Sequence, residues 1–221
     1  MLKDKIFLER ELEGAKIETA LKPDFNLLDA FKIFDCRGNG NVSVQDIMNA
    51  LRDNMSFTDF THDDVYLLFR RHDLNSDGKL NFTEFSNMLL PVSKEYSALL
   101  TDRPDFYMSR SMPISQFFNP DTRNELRNLW GAMFKCERAC EVLRCSLRKR
   151  EYFNIKHAFA FMDNDVDGYL LVDDLREFLA NNGFFATERE LQGILHKCDK
   201  DGDGRISFNE FVDEFSPKLG F

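Results

Sequence analysis

Short runs of apolar residues recur at helical spacing along this chain, and they flank polar loops of twelve residues that contain glycine. Before one such loop, Val65, Leu68 and Phe69 share one helical face, and Phe85 and Leu89 continue that face after the loop. The last loop has the same flanks, with apolar positions at Leu191, Ile194, Leu195, Cys198, Phe211 and Phe215. This pattern predicts an all-α protein that is built from helix–loop–helix units.

The two loops, 73–84 (D-L-N-S-D-G-K-L-N-F-T-E) and 199–210 (D-K-D-G-D-G-R-I-S-F-N-E), carry oxygen donors at positions one, three, five, nine and twelve. Glycine at position six allows a sharp turn, and a glutamate at position twelve reaches an ion with both carboxylate oxygens. A hard dication such as Ca²⁺ needs about six to eight oxygen ligands at once. With the carbonyl of position seven included, the predicted ligands are Asp73, Asn75, Asp77, Lys79, Asn81 and Glu84 in one loop and Asp199, Asp201, Asp203, Arg205, Ser207 and Glu210 in the other.

Through these loops and their flanking helices, the chain resembles the EF-hand superfamily of calmodulin, centrin and calcineurin B, over roughly residues 23–90 and 152–217. The resemblance implies that hands pair through a short β-bridge between their loops, so each complete loop needs a neighbour. Val42 with Leu80, and Leu170 with Ile206, stand at position eight of neighbouring loops. We therefore expect two lobes, each a pair of EF-hands joined by a short β-bridge.

The first loop, 35–46 (D-C-R-G-N-G-N-V-S-V-Q-D), keeps the spacing of a hand but has a damaged ligand set. Arg37 puts a cation where the third ligand belongs, and Asp46 is one methylene shorter than the glutamate that would bind bidentately. We predict a structural hand that supports its neighbour.

The third loop, 163–174 (D-N-D-V-D-G-Y-L-L-V-D-D), is complete in its first half only. Three aspartates begin it, but Leu171 offers no oxygen at position nine and Asp174 is short at position twelve. Losing bidentate coordination lowers Ca²⁺ affinity and favours a smaller, six-coordinate ion, while converging carboxylates without a cation would repel one another. We predict a weak site for Ca²⁺ or Mg²⁺. Its ligands would be Asp163, Asp165, Asp167, Tyr169 and Asp174.

Residues 91–151 separate the two pairs of hands, and their second half predicts one long helix that begins at Asn119 and Pro120. Apolar positions then alternate at intervals of three and four, at Leu126, Leu129, Met133, Cys136, Cys140, Leu143 and Leu147. Such a heptad seam packs against the chain's own lobes or against a partner helix. Residues 121–151 carry eight basic and five acidic side chains. Because EF-hand lobes usually bind basic amphipathic helices, this helix could be a built-in ligand, and an ordinary solvated helix face is the alternative.

Four segments follow from this pattern: a charged helical arm (1–22), an N-terminal pair of hands (23–90), a helical connector (91–151) and a C-terminal pair (152–221). We expect the arm to be an ordinary surface helix, with docking on a partner as the alternative. In the connector, 93–118 predicts short helices and turns around Pro104 and Pro113.

The 93–118 segment, the long helix and the ending E-F-V-D-E-F-S-P-K-L resemble ciliate EF-hand proteins associated with axonemal microtubule doublets. That resemblance implies a structural component of the cilium with tubulin or axonemal proteins as partners.

Charge, motifs and cysteine content argue against several other classes of function. The formal net charge of −9 argues against nonspecific binding of nucleic acid. The sequence lacks H-E-x-x-H, G-x-S-x-G and a phosphate-binding glycine loop, so we expect no enzyme. Five cysteines without a signal peptide predict a reducing, cytoplasmic location. We expect no membrane insertion, because no apolar run is long enough to span a bilayer, and no lipid anchor, because Leu2 stands where myristoylation needs glycine.

The sequence therefore predicts a Ca²⁺-binding protein that acts by binding another protein. Its 23 phenylalanines outnumber its eight methionines, whereas promiscuous sensors line their grooves with methionine. This favours one dedicated partner. A calcium-responsive regulator, a structural component, and a freely diffusing sensor or buffer all fit the sequence.

Overall fold

The computed structural model describes residues 1–103 and 117–220. In these ranges the chain forms eleven helices: α1 (Leu2–Ala20), α2 (Leu27–Phe34), α3 (Val44–Asp53), α4 (His62–His72), α5 (Phe82–Leu89), α6 (Lys94–Thr101), α7 (Pro120–Arg148), α8 (Ile155–Met162), α9 (Val172–Asn181), α10 (Glu188–Cys198) and α11 (Phe208–Phe215). The strands are β1 (Asn41–Ser43), β2 (Lys79–Asn81), β3 (Tyr169–Leu170) and β4 (Ile206–Ser207). The predicted all-α fold with short β-bridges is confirmed. Of the predicted turns in 93–118, those at Pro104 and Pro113 lie outside the described residues.

The four strands form two antiparallel two-stranded sheets, β1 with β2 and β3 with β4. Val42 pairs with Leu80, and Leu170 pairs with Ile206. Both pairs were predicted from position eight of the loops, and both are confirmed. All four side chains are buried, so each bridge also adds apolar contacts beneath its loops.

The helices that leave the loops start on residues of the loops themselves. Asn81 caps α5 and Ser207 caps α11, and in each case the glutamate three residues later completes a capping box. Positions nine and twelve of a loop thus begin a helix as well as offering oxygen. Because Leu171 has no side-chain acceptor, α9 starts without this cap. Asn119 caps α7 as predicted, accepting from the Thr122 backbone N–H at 2.9 Å.

The chain divides into two compact units, Glu11–Arg138 and the pair of segments Met1–Arg10 and Ala139–Phe221. Helices α1 and α7 each contribute residues to both units. Residues 2–10 of α1 and 139–148 of α7 therefore group with the C-terminal hands, and the remaining residues of both helices group with the N-terminal hands. The physical reason is that their apolar faces are buried in the two cores.

The unit Glu11–Arg138, hereafter the N-terminal unit, is built around α2–α5. Leu126, Leu129 and Met133 of the heptad seam are buried in its core. Over these residues the structure shows the first alternative for the seam, packing against the chain's own lobe. Further along the seam, Leu143 and Leu147 are only partly buried.

The second unit, hereafter the C-terminal unit, includes the start of α1 in its core. Leu2 and Ile6 pack in the same apolar cluster as Phe159 and Phe211. The first turns of the predicted arm therefore bury one face in this core, while Lys3, Asp4 and Phe7 on the same turns are exposed. Lys5, between Leu2 and Ile6, is also buried.

Buried charges in the C-terminal unit satisfy one another. The Arg144 guanidinium donates through Nε to the Glu214 carbonyl at 3.0 Å and through an Nη to Glu141 at 3.0 Å, and Lys5 donates to the Glu214 carboxylate. The other oxygen of Glu141 accepts from the Lys218 backbone N–H at 2.8 Å. Charged groups are tolerated in a core only when they are paired in this way. Sequence reasoning counted Arg144 among the charges of an amphipathic helix and missed its burial.

Candidate functional site

The fourth loop, 199–210, brings its first three aspartates together. Carboxylate oxygens of Asp199, Asp201 and Asp203 all lie within 4.8 Å of one another. Two oxygens on opposite sides of one Ca²⁺ are at most about 5 Å apart, so this spacing fits a shared ion. Backbone N–H groups of the loop hold the carboxylates inward, from Gly204 to Asp199 at 2.9 Å and from Asp203 to Asp201 at 3.2 Å.

Glu210 closes the same loop. One of its oxygens accepts from the Lys200 backbone N–H at 2.7 Å, and the other accepts from the backbone N–H and the hydroxyl of Ser207 at 2.8 and 2.7 Å. Burial opposes ionisation of this carboxyl, but these hydrogen bonds outweigh it and lower the pKa of Glu210. The side chain is therefore a carboxylate at neutral pH, held back against the start of its loop.

The second loop, 73–84, has the same construction. Asp73 accepts from the Gly78 backbone N–H at 2.8 Å, and Asn75 accepts from the Asp77 backbone N–H at 2.9 Å. The buried Glu84 accepts from the backbone N–H groups of Leu74 and Asn81 at 3.1 and 3.0 Å. Backbone N–H groups thus orient Asp73, Asn75 and Glu84 within their own loop.

The third loop, 163–174, matches the fourth in its first half. Carboxylate oxygens of Asp163, Asp165 and Asp167 lie within 4.8 Å of one another. Asp174 reaches the Leu171 backbone N–H at 2.8 Å, but its distance to the Asn164 N–H at the loop start is 3.4 Å. The corresponding bond of Glu210 is 2.7 Å, so the shorter side chain closes this loop less tightly.

In the first loop, 35–46, a cation of the chain itself stands near the twelfth position. Arg37 Nε lies 3.8 Å from an Asp46 carboxylate oxygen, and the other oxygen accepts from the Ser43 backbone N–H at 3.0 Å. This arrangement agrees with a structural hand, because Asp46 already has a positive neighbour and a role in starting α3.

The side chains at position seven of the two C-terminal loops touch, a contact that sequence reasoning missed. The Arg205 guanidinium lies 3.8 Å from the centre of the Tyr169 ring, and Arg205 Nε donates to Asp203 at 2.7 Å. That hydrogen bond lowers the pKa of Asp203. The sequence predicts only a backbone carbonyl ligand from each of these two residues, Tyr169 and Arg205. Because each one precedes a bridging residue, the β-bridge could have signalled their proximity.

Comparison with known families matches residues 24–90 and 152–216 to the EF-hand domain pair. The chain belongs to the EF-hand family. Two EF-hand pairs are thus present, and the predictions of the superfamily and of Ca²⁺ as its cofactor are confirmed.

Three relatives illustrate the range of EF-hand proteins that the chain is similar to. It is 28% identical over 185 residues to the probable calcium-binding protein CML11 of Oryza sativa subsp. japonica, covering 84% of this chain and 63% of that protein. It is 36% identical over 69 residues to calcium-binding protein 7 of Homo sapiens, covering 31% and 32%. It is 34% identical over 74 residues to calcium-dependent protein kinase 17 of Arabidopsis thaliana, covering 34% and 14%. The chain therefore spans less than two thirds of the length of each of these proteins.

Across residues 1–103 and 117–220, none of the helices combines the length and the apolar character that crossing a bilayer requires.

Val166 provides a test of the third loop. At position four its φ is +59°, a left-handed conformation that costs a β-branched residue about 1–2 kcal/mol relative to glycine. We expect Val166→Gly to raise the free energy of unfolding of the C-terminal unit by about 0.5–1 kcal/mol, because glycine adopts this conformation without strain. Chemical denaturation measures the change. Ser76 occupies position four of the second loop with φ +57° and is not β-branched, so Ser76→Gly is the matched control with a smaller gain in the stability of the N-terminal unit. Equal effects of the two changes would contradict the strain at Val166.

Proposed function

We propose that this EF-hand protein binds Ca²⁺ tightly at loops 73–84 and 199–210 and more weakly, as Ca²⁺ or Mg²⁺, at loop 163–174, and that it acts by binding another protein. The observation that carries the proposal is the convergence of Asp199, Asp201 and Asp203 within 4.8 Å, closed by an ionised Glu210. When bound, the ion would supply a positive centre that these carboxylates surround. Backbone N–H groups of the loop orient these oxygens.

The proposed ligands are those predicted from the sequence, including the backbone carbonyls of Lys79, Tyr169 and Arg205. Loop 35–46 has no proposed ion, since Arg37 stands near its twelfth position. Titration calorimetry on the whole chain tests the sites. We expect two tight sites and one weaker site, and a single class of four equal sites would contradict the ranking.

Exposed aromatic residues on the C-terminal unit support the binding of a protein partner. Phe161 is 74% exposed, Tyr152 is 91% exposed and Phe185 is 84% exposed. Phe161 also contacts Phe178, with ring centres 6.2 Å apart. Contiguous exposed apolar side chains are typical of surfaces that bind other proteins, and the contact of Phe161 with Phe178 is the observation of this kind.

The kind of assembly is the finer part of the proposal. A structural or regulatory component fits the exposed aromatic side chains better than a soluble buffer, which needs no partner. Placement in the cilium, with tubulin or axonemal proteins as partners, rests on the similarity of layout to ciliate EF-hand proteins and stays a prediction.

Affinity capture from a native extract, in Ca²⁺ and in chelator, tests the partner. A structural component should retain the same protein in both conditions, whereas a regulator should retain it in one. We expect the double variant Phe161→Ser and Phe185→Ser to lose the captured protein while its Ca²⁺ stoichiometry stays that of the wild type. The matched control changes two exposed polar residues of the same unit, Asn181→Ser and Gln192→Ser. Retention of the partner by the phenylalanine variant would show that Phe161 and Phe185 do not contribute to binding it.

A further inference from the structure

Trp130, the single tryptophan of the chain, lies inside the N-terminal unit. It belongs to α7, and its side chain is fully buried. Its ring centre is 4.8 Å from that of Phe34, on the helix that enters the first loop, and 6.5 Å from that of Phe85, on the helix that leaves the second loop. One side chain of α7 thus contacts helices of both hands.

Neighbouring residues of α7 extend this contact. Phe134 stacks on Phe57 and Phe60, with ring centres 6.2 and 5.6 Å apart, and these two phenylalanines lie between α3 and α4. The seam residues Leu126, Leu129 and Met133 are each no more than 2% exposed and join the same core. Residues 126–134 therefore fill the apolar surface between the helices of this pair of hands.

Two ion pairs hold the following turn of α7 against α4, the helix that enters the second loop. Glu137 is bound by Arg71 through two hydrogen bonds of 2.6 and 3.2 Å, and both side chains are largely buried. Arg138 binds Asp64 through two hydrogen bonds of 2.5 and 2.8 Å. Bidentate pairs of this kind fix geometry as well as adding energy.

We propose that residues 126–138 are an internal ligand of the N-terminal pair of hands, and that this pair therefore does not open its apolar surface to another protein when Ca²⁺ binds at loop 73–84. A hand pair that opens moves its entering and leaving helices apart. Here such a movement would draw Phe34 and Phe85 away from Trp130 and would separate α4 from Glu137 and Arg138. The statement that the pair stays closed when Ca²⁺ binds rests on the proposed function. The statement that α7 occupies the apolar surface of the pair does not.

An external helix would also have to compete with a ligand on the same chain. A tethered segment has an effective concentration in the range of about 1 mM or more, so a free peptide of equal intrinsic affinity is displaced. The partner of the proposed function would accordingly bind elsewhere, and the exposed aromatic residues of the C-terminal unit are available for it.

The fluorescence of Trp130 tests this inference directly. We expect the emission of the whole wild-type chain to be that of a buried indole, with low quenching by acrylamide, both in chelator and in saturating Ca²⁺. A red shift with increased quenching on adding Ca²⁺ would overturn the inference. Calorimetry on the same samples keeps the two proposals apart: absence of Ca²⁺ binding with a buried Trp130 would overturn the proposed function alone.

A competition experiment gives a second readout. The probe is a fluorescein-labelled peptide with the sequence of residues 120–138. We expect no binding to the wild-type chain in Ca²⁺ or in chelator. We expect binding to the double variant Leu129→Ala and Trp130→Ala, because its own segment is weakened. Binding to the wild type in Ca²⁺ would contradict an internal ligand, and so would failure to bind a variant that circular dichroism shows to be folded.

Glu137→Gln tests the ion pair while keeping the tryptophan and the size of the side chain. The variant weakens the bond to Arg71, and we expect the acrylamide quenching of Trp130 to rise at least about twofold, since Arg71 loses its bidentate carboxylate. Asn128→Ala changes an exposed residue on the same helix and is the matched control. Equal quenching in both variants and the wild type would show that the ion pair does not hold α7 in place.

Discussion

Leu129→Asp should lower the free energy of unfolding of the N-terminal unit by about 4 kcal/mol or more, since removing a buried leucine alone costs about 2–5 kcal/mol and the new carboxylate would be buried without a partner. The wild-type side chain has no exposed surface, and it lies in the core beside the four helices of the hand pair. Chemical denaturation followed by Trp130 fluorescence measures the loss in the unit where the change is made.

Two control variants separate burial from charge in this test. Asn128→Asp adds the same charge at the exposed neighbouring position and should change stability by less than about 0.5 kcal/mol. Leu143→Asp changes a partly buried residue of the same seam, and we expect it to cost less than Leu129→Asp. If Leu129→Asp unfolds at the same denaturant concentration as Asn128→Asp, then α7 is not part of this core.

Glu84→Gln and Glu210→Gln should each weaken Ca²⁺ binding in their own loop by about 100-fold or more, because a neutral amide cannot replace a bidentate carboxylate. Both carboxylates are already positioned by two backbone N–H groups, at the start of the loop and at position nine. Glutamine has nearly the same size and keeps one acceptor, so the helices that follow the loops should still form. Calorimetry should show the loss of one tight site in each single variant and of both tight sites in the double variant.

The matched controls for this test come from the N-terminal unit. Glu95→Gln changes an exposed glutamate of α6, outside the loops, and should leave both tight sites intact. Asp46→Asn changes the twelfth position of the first loop, which we propose to be structural, and should leave the stoichiometry unchanged. Unaltered Ca²⁺ binding in the double variant of Glu84 and Glu210 would show that the ion sites are elsewhere.

The loops and their pairing could be predicted closely from the sequence. Twelve-residue spacing puts Val42 opposite Leu80 and Leu170 opposite Ile206, and the structure has both pairs. The same spacing makes positions nine and twelve begin a helix, as Ser207 and Glu210 do. These features depend on residues that are close in sequence, so hydrogen bonding and helix periodicity within one loop are enough to specify them.

The role of α7 could be predicted only as a set of alternatives. Its heptad pattern established an apolar face, and Asn119 marked its start, but the pattern is the same whether that face meets a partner or the chain itself. Contacts between α7 and residues tens of positions away decided the question for Leu129 and Trp130, which are buried among the helices of the N-terminal hands.

The sequence by itself determined the family, the four loops and their pairing, because each of these is set by spacing within a short segment, and it predicted the oxygen donors of the candidate ion sites. Only the tertiary structure decided that Trp130 fills the apolar surface of the N-terminal hands, that Lys5 and Arg144 are buried around Glu214, and that α1 and α7 belong to the two cores. Burial of a helix face is a property of the surfaces that meet it, and those surfaces come from distant parts of the chain. A charged or apolar residue therefore has no fixed environment until the helices have packed.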